Sequence, residues 1–199
     1  MNFLWRARIV PAALFLVMTV GAFGSRLAQA GELPGNSVYR LDLALVDQNG
    51  QASKLADARG GPILIAMFYS SCKYVCPLII DNLQRTERAL SDSERTHLRV
   101  IMVSFDPKRD TPAALKALAD ARHVDQTRWK FTRTEAAGVR KLAAVLDVQY
   151  RALDNGEFNH SSVITLLDGE GRIVTRTDRM GELDPEFATA VRNAVDGKR

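Results

Sequence analysis

Two thiols and one imidazole are the residues of this 199-residue chain best suited to chemistry. The only cysteines, Cys72 and Cys76, fall in Phe68-Tyr69-Ser70-Ser71-Cys72-Lys73-Tyr74-Val75-Cys76-Pro77. A bond between them would close a loop with only three residues between, which constrains little unfolded-chain entropy. The pair is therefore a poor staple and suits a chelate or a redox couple. In Cys-x-x-Cys oxidoreductases the sulfurs are held together for disulfide closure. A third intervening residue widens the loop, so both sulfurs can face one ion, while closure to a disulfide stays open. A helix beginning at Cys76-Pro77 would place its positive end near the sulfurs, and Lys73 adds charge. Both thiols are expected to ionise more easily than a free cysteine.

His160 is the third element, in Phe158-Asn159-His160-Ser161-Ser162 on a polar loop. It is read as starting a strand of the same sheet that delivers the thiols. His97 and His123 lie in charged stretches that read as solvated. Two thiolates and one imidazole make a soft, low-coordinate site, which favours Cu(I), zinc or iron–sulfur chemistry. Structural zinc usually takes four protein ligands, and no third cysteine or zinc-finger spacing is present. Cu(I) accepts three ligands, and Cu(II) could add a water or carboxylate oxygen.

These residues need a scaffold. Tyr39 to Val46 alternates apolar and polar, and Asn49-Gly50 follows, which predicts an N-terminal β-hairpin. Pro62–Tyr69 and Leu98–Phe105 read as buried strands, with a shorter strand at Trp129–Thr132. Helices are expected from Cys76 to about Ser91, after Asp110-Thr111-Pro112, and after Thr134-Glu135. Either Asp110 or Thr111 would be the cap of the second, and Arg109 would make loop contacts. Ser162–Leu167 and Arg172–Thr177 flank Asp168-Gly169-Glu170-Gly171 as a second hairpin, and Leu183–Val195 is a last helix. The fold class is α/β, a mixed central sheet with helices on both faces. Trp129 reads as core. Tyr69 and Tyr74 flank the thiols, as docking surface or as a shield against water.

The first thirty residues read as an export signal. Arg6 and Arg8 precede an apolar run from Ile9 to Phe23, and Ala28-Gln29-Ala30 supplies a cleavage site. Cleavage after Ala30 is expected, the alternative being retention as an anchor. Residues 31–37 read as a linker and 38–199 as the functional domain. The net charge of +4 includes Arg6, Arg8 and Arg26, so residues 31–199 carry +1. That balance excludes a polyphosphate-binding footprint, and nucleic acid is not an expected partner.

The chain resembles the Sco/SenC family of copper-binding, thioredoxin-like proteins over essentially all of residues 31–199. The resemblance rests on Cys72-Lys73-Tyr74-Val75-Cys76-Pro77, on Ser104-Phe105-Asp106-Pro107-Lys108-Arg109-Asp110-Thr111-Pro112, and on His160 ahead of a strand ending in Asp168-Gly169-Glu170-Gly171. It implies a thioredoxin-like fold with Cys72, Cys76 and His160 as copper ligands, for Cu(I) and also Cu(II). It also implies Asp106 as a carboxylate near the metal or an occasional ligand. The implied role is a metallochaperone for the binuclear copper centre of cytochrome c oxidase. The partners would be the copper-bearing subunit of that oxidase and other periplasmic copper chaperones or thiol reductases. The location would be the periplasm, or the outer face of the inner membrane if the N-terminal segment is retained. Where many relatives carry Asp before the histidine, this chain has Asn159, which would raise the imidazole's basicity less.

A thiol–disulfide oxidoreductase using Cys72 and Cys76 is the alternative, and the only enzyme reading retained. It needs neither His160 nor the three-residue spacing. A peroxidase would want Thr or Ser three residues before its reactive cysteine. Tyr69 stands there for Cys72 and Lys73 for Cys76.

Overall fold

The computed structural model describes residues 31–197. Residues 1–30, where the sequence reads as an export signal, lie outside the described residues.

The expected strand from Tyr39 is replaced at its start by a 3-10 turn, Val38–Leu41. Val38 and Tyr39 are both buried, which alternation along a half-buried strand does not allow. The Ser37 hydroxyl accepts from the Tyr39 N–H (3.2 Å) and caps the turn. The strand begins only at β1 (Ala44–Asp47), which turns through Gly50 (φ 75°) into β2 (Ala52–Lys54). The Asp47 carboxylate accepts from the Asn49 and Gln51 N–H groups (2.8 and 2.9 Å), fixing the N-terminal hairpin.

The next strand, β3 (Ile63–Phe68), is buried at every position. Such a run needs cover on both faces. Helix α1 (Val75–Arg88) and the short α2 (Asp92–Thr96) lead to β4 (Arg99–Ser104). The helix expected up to about Ser91 is α1, and a short second helix that the sequence reading did not anticipate follows it, because Ser91 and Glu94 form a capping box that starts it. Helix α3 (Pro112–Ala121) leads to β5 (Trp129–Arg133), and α4 (Ala136–Leu146) follows. Trp129 is fully buried and donates through its indole N–H to Glu87 (2.9 Å), a core residue as read.

Two strands then leave the main sheet. β6 (Tyr150–Ala152) and β7 (Phe158–His160) pair only with each other, as an antiparallel hairpin. β8 (Ile164–Leu167), β9 (Ile173–Thr177) and α5 (Pro185–Val195) complete the chain. The main sheet is mixed and seven-stranded, in the order β2-β1-β5-β4-β3-β8-β9. Its β3–β4 and β4–β5 pairs are parallel and the others antiparallel. Gly171 (φ 77°) closes the β8–β9 turn, where a Cβ would lie 2.6 Å from the Tyr39 ring.

Candidate metal centre

β3 and β4 run side by side and release their chains at the same sheet edge, where the Phe105 N–H donates to the Phe68 carbonyl (2.9 Å). Carboxyl ends of parallel strands are the usual ligand-binding edge of an α/β sheet. The loop after β3 is pinned there by Asp110, which is fully buried. Its carboxylate accepts from the Ser70 N–H (3.0 Å) and from the hydroxyls of Ser70 and Ser104. Asp110 is therefore not the cap of α3. Thr111 caps it, accepting from the Ala114 N–H (3.3 Å), with Pro112 at the first turn.

The pinned loop carries both cysteines. α1 begins at Val75, and its N-cap Tyr74 makes no side-chain cap bond. The Cys76 N–H instead donates to the Cys72 sulfur (3.4 Å), so a thiol takes up one of the unpaired amides of the helix start. Both residues are free thiols, Cys72 9 % exposed and Cys76 3 %.

His160 arrives from the other side. It ends β7 rather than starting a strand of the main sheet, which corrects the sequence expectation. The hairpin was signalled by Asn155-Gly156, the same dipeptide that makes the β1–β2 turn. Its Nδ1 lies 3.0 Å from the Ser161 carbonyl, and an N–H there leaves Nε2 as the lone-pair nitrogen. That Nε2 lies 3.8 Å from the Cys76 sulfur. The ligand atoms of Cys72, Cys76 and His160 all lie within 4.8 Å of one another. Among the described residues no other group of three or more His, Cys, Asp or Glu side chains converges in this way.

The electrostatics of the two thiols differ. Burial disfavours the Cys72 thiolate, but hydrogen bonds from the Cys76 and Tyr74 backbone and from the Cys76 and Tyr69 side chains outweigh it, and its pKa is lowered. Burial dominates at Cys76 and pushes its thiol well above the ordinary range, with the neighbouring Cys72 charge adding to the effect. The expectation that both thiols ionise easily therefore holds in direction for Cys72 alone. Burial also lowers the pKa of His160, against the hydrogen bond to Ser161, and favours the neutral, ligating imidazole.

Asp106 does not join the three donors. Its carboxylate is taken by the Arg109 guanidinium, and its N–H donates to the Ser104 hydroxyl (2.9 Å). The two tyrosines part company. Tyr69 is buried, with its ring centroid 5.9 Å from that of His160, whereas Tyr74 is 83 % exposed. Phe105 approaches the imidazole more closely, at 4.9 Å. His97 and His123 are exposed, as read. A cavity of about 590 Å³ opens beside the site, lined in part by Val75, Ser161, Asp147, Asp178 and Met180.

A family model described as SCO1/SenC matches residues 32–196. An SCO2-like protein of Rickettsia felis is 26% identical over 164 residues, covering 80% of each chain. The structure of Bradyrhizobium japonicum ScoI with copper bound is similar at a TM-score of 0.65 and 26% identity, over 76% of this chain and 96% of that one. Yeast Sco1 with copper bound shares the fold at a TM-score of 0.66 and 21% identity, over 79% and 88% of the two chains. With its thioredoxin-like α/β fold, the chain belongs to the SCO1/SenC family.

Proposed function

We propose that this chain is an exported copper metallochaperone that helps assemble the binuclear copper centre of a cytochrome c oxidase. The observation that carries the reading is the convergence of two sulfurs and a correctly presented imidazole Nε2 within 4.8 Å. The donor set fits copper: soft thiolates and a neutral nitrogen suit three-coordinate Cu(I), and Cu(II) would add oxygen from water. Asp106 is not free to supply that oxygen, because Arg109 holds it. A copper-bound relative at 26% identity supports the same reading.

Export follows from residues 1–30, and the working compartment is the periplasm or the outer face of the inner membrane. Mass spectrometry of the mature protein should find Gly31 at its N-terminus. An intact Met1 in membranes would favour the anchor.

The unequal thiols favour a second reading, thiol–disulfide exchange, in which the Cys72 thiolate attacks and buried Cys76 resolves. The two readings part on redox state and on metal. Copper binding needs free thiolates. The reduced chain should take up one Cu(I), and the Cys72–Cys76 disulfide form should take up none until reduced. Stoichiometric uptake by the oxidised form would remove the sulfurs from the site. Deleting the protein should impair oxidase copper-centre assembly in cells. Restoration by His160→Ala as fully as by the native chain would favour the reductase.

A further inference from the structure

A two-stranded hairpin on its own is marginal in water. The β6–β7 hairpin has no ladder to the main sheet, yet it delivers the imidazole to within 3.8 Å of a sulfur on another element. Something other than backbone pairing must set its position. At its base, Gln149 and Ser161 exchange hydrogen bonds, the Ser161 N–H to the Gln149 carbonyl and the Gln149 N–H to the Ser161 hydroxyl (2.9 and 3.0 Å). That closes the hairpin on itself without holding it to the sheet.

Two side chains cross the gap. The Arg109 guanidinium donates through Nε to the Asp106 carboxylate and through Nη2 to the Gly156 carbonyl in the hairpin turn. It also lies over the Phe158 ring, 5.8 Å from the centroid. The Tyr69 hydroxyl donates to Glu157 (2.6 Å) and accepts from the Phe158 N–H (3.5 Å). Beneath them, Phe105 stacks on Tyr150 and meets Phe158 edge-on, with centroids 5.4 and 5.1 Å apart.

The anchors are rigid. Asp106 is buried and tied to Ser104, whose hydroxyl also bonds Asp110. The same serine thus stands behind the thiol loop and behind the hairpin latch.

We propose that Arg109 and Tyr69 are positioning residues that latch the β6–β7 hairpin to the sheet edge and so set His160 against the two thiols. Asp106 then acts through Arg109 as the latch's anchor and not as a copper ligand. The planar fork is essential: it reaches a carboxylate and a carbonyl at once while covering a ring, which a lysine ammonium cannot do. The metal part of this inference rests on the copper reading. The latch itself does not.

The test uses the full chain, first without metal. In Arg109→Ala and in the milder Tyr69→Phe, hydrogen exchange should quicken at the hairpin amides, those of Leu153, Gly156 and Phe158, by about tenfold or more. Amides of β3, β4 and β8 should keep their protection. Arg109→Lys should behave like Arg109→Ala. Copper titrations come next. Arg109→Ala should lower Cu(II) affinity by roughly 10–100-fold, the usual cost of losing an outer support of a ligand. In a His160→Ala background the same substitution should cost nothing further, because its effect passes through the imidazole. Unchanged hairpin exchange in both variants would overturn the latch. So would a loss of protection spread evenly over the whole sheet, or a copper effect that persists without His160. A native chain that binds no copper would refute the copper reading, and the exchange result would still decide the latch.

Discussion

The two halves of the site are built in opposite ways. The thiol half grows out of the most buried part of the molecule, a strand with all six residues buried running into the first turn of α1. A fully buried carboxylate, Asp110, clamps the loop between them. The imidazole half lies outside the main sheet, on a hairpin held by side chains, one of which, Arg109, is 45% exposed. Openings of low free energy concentrate where backbone pairing is local and contacts are solvent-exposed. The charged donors are thus fixed by the core, and the neutral donor sits on the part that can move. A site with that asymmetry can release one ligand without unfolding, which suits the metal handover proposed above.

The largest effect expected from breaking this arrangement is on the thiol side. Cys72→Ser or Cys76→Ser should weaken Cu(I) and Cu(II) binding by more than the roughly 10–100-fold that loss of an outer support costs, since a charged donor is removed. Competition titration against a copper chelator measures this. Near-native affinity in either variant would take that sulfur out of the site.

Asp110→Ala comes next, and it reads on stability. Its three donors, the Ser70 N–H and two serine hydroxyls, would be left without their acceptor. Each unmet buried group costs about 1–3 kcal/mol. At roughly 2–4 °C of melting temperature per kcal/mol, the chain should melt several degrees lower. Tyr69→Phe, on the hairpin side, should shift the melting point by less than that, because the two hydrogen bonds it removes tie down only a peripheral hairpin. Equal shifts would erase the distinction between the two halves.

Dependence on pH sharpens it further. Burial holds the Cys76 proton on, whereas burial keeps His160 deprotonated. Metal binding must displace the thiol proton and need displace none from the imidazole. Cu(I) affinity should therefore rise with pH from about 7 to 9, and the slope should survive in His160→Ala. A slope that vanishes with His160 would assign the proton to the wrong half. The smallest effect is expected from Asn159→Asp. The side chain at 159 is exposed and alternates away from His160 along β7, so a charge there should change Cu(II) affinity by less than about tenfold.

The thiol half was legible in the sequence and the imidazole half only in outline. An apolar run, two cysteines and a proline after the second define strand, loop and helix start by local rules, and β3 and α1 follow them. Only burial escaped that reading: nothing local says that Cys76 would be more enclosed than its partner, and this reversed the expected ease of ionisation. The histidine's element was missed because β6 and β7 are three residues each and their burial follows no clear period. Asn155-Gly156 was the available signal. Asp110 looked as good a helix cap as Thr111, the residue that caps α3, because both side chains can accept from the first amides of a helix. Its actual partners lie in Ser70, forty positions earlier, and in Ser104, and such a contact has no local signature. The first strand failed for a related reason, since the burial of Tyr39 comes from its contacts with Ala58 and Gly171.

The most direct measurement is a side-by-side titration of His160→Ala with Cu(I) and Cu(II), against the native chain. Two core-held thiolates can keep Cu(I) on their own, whereas Cu(II) prefers more donors, nitrogen among them. The variant should keep Cu(I) at reduced affinity and lose Cu(II) binding by a much larger factor. If it binds both ions as the native chain does, the imidazole is no part of a copper site and the account of two unequal halves is wrong.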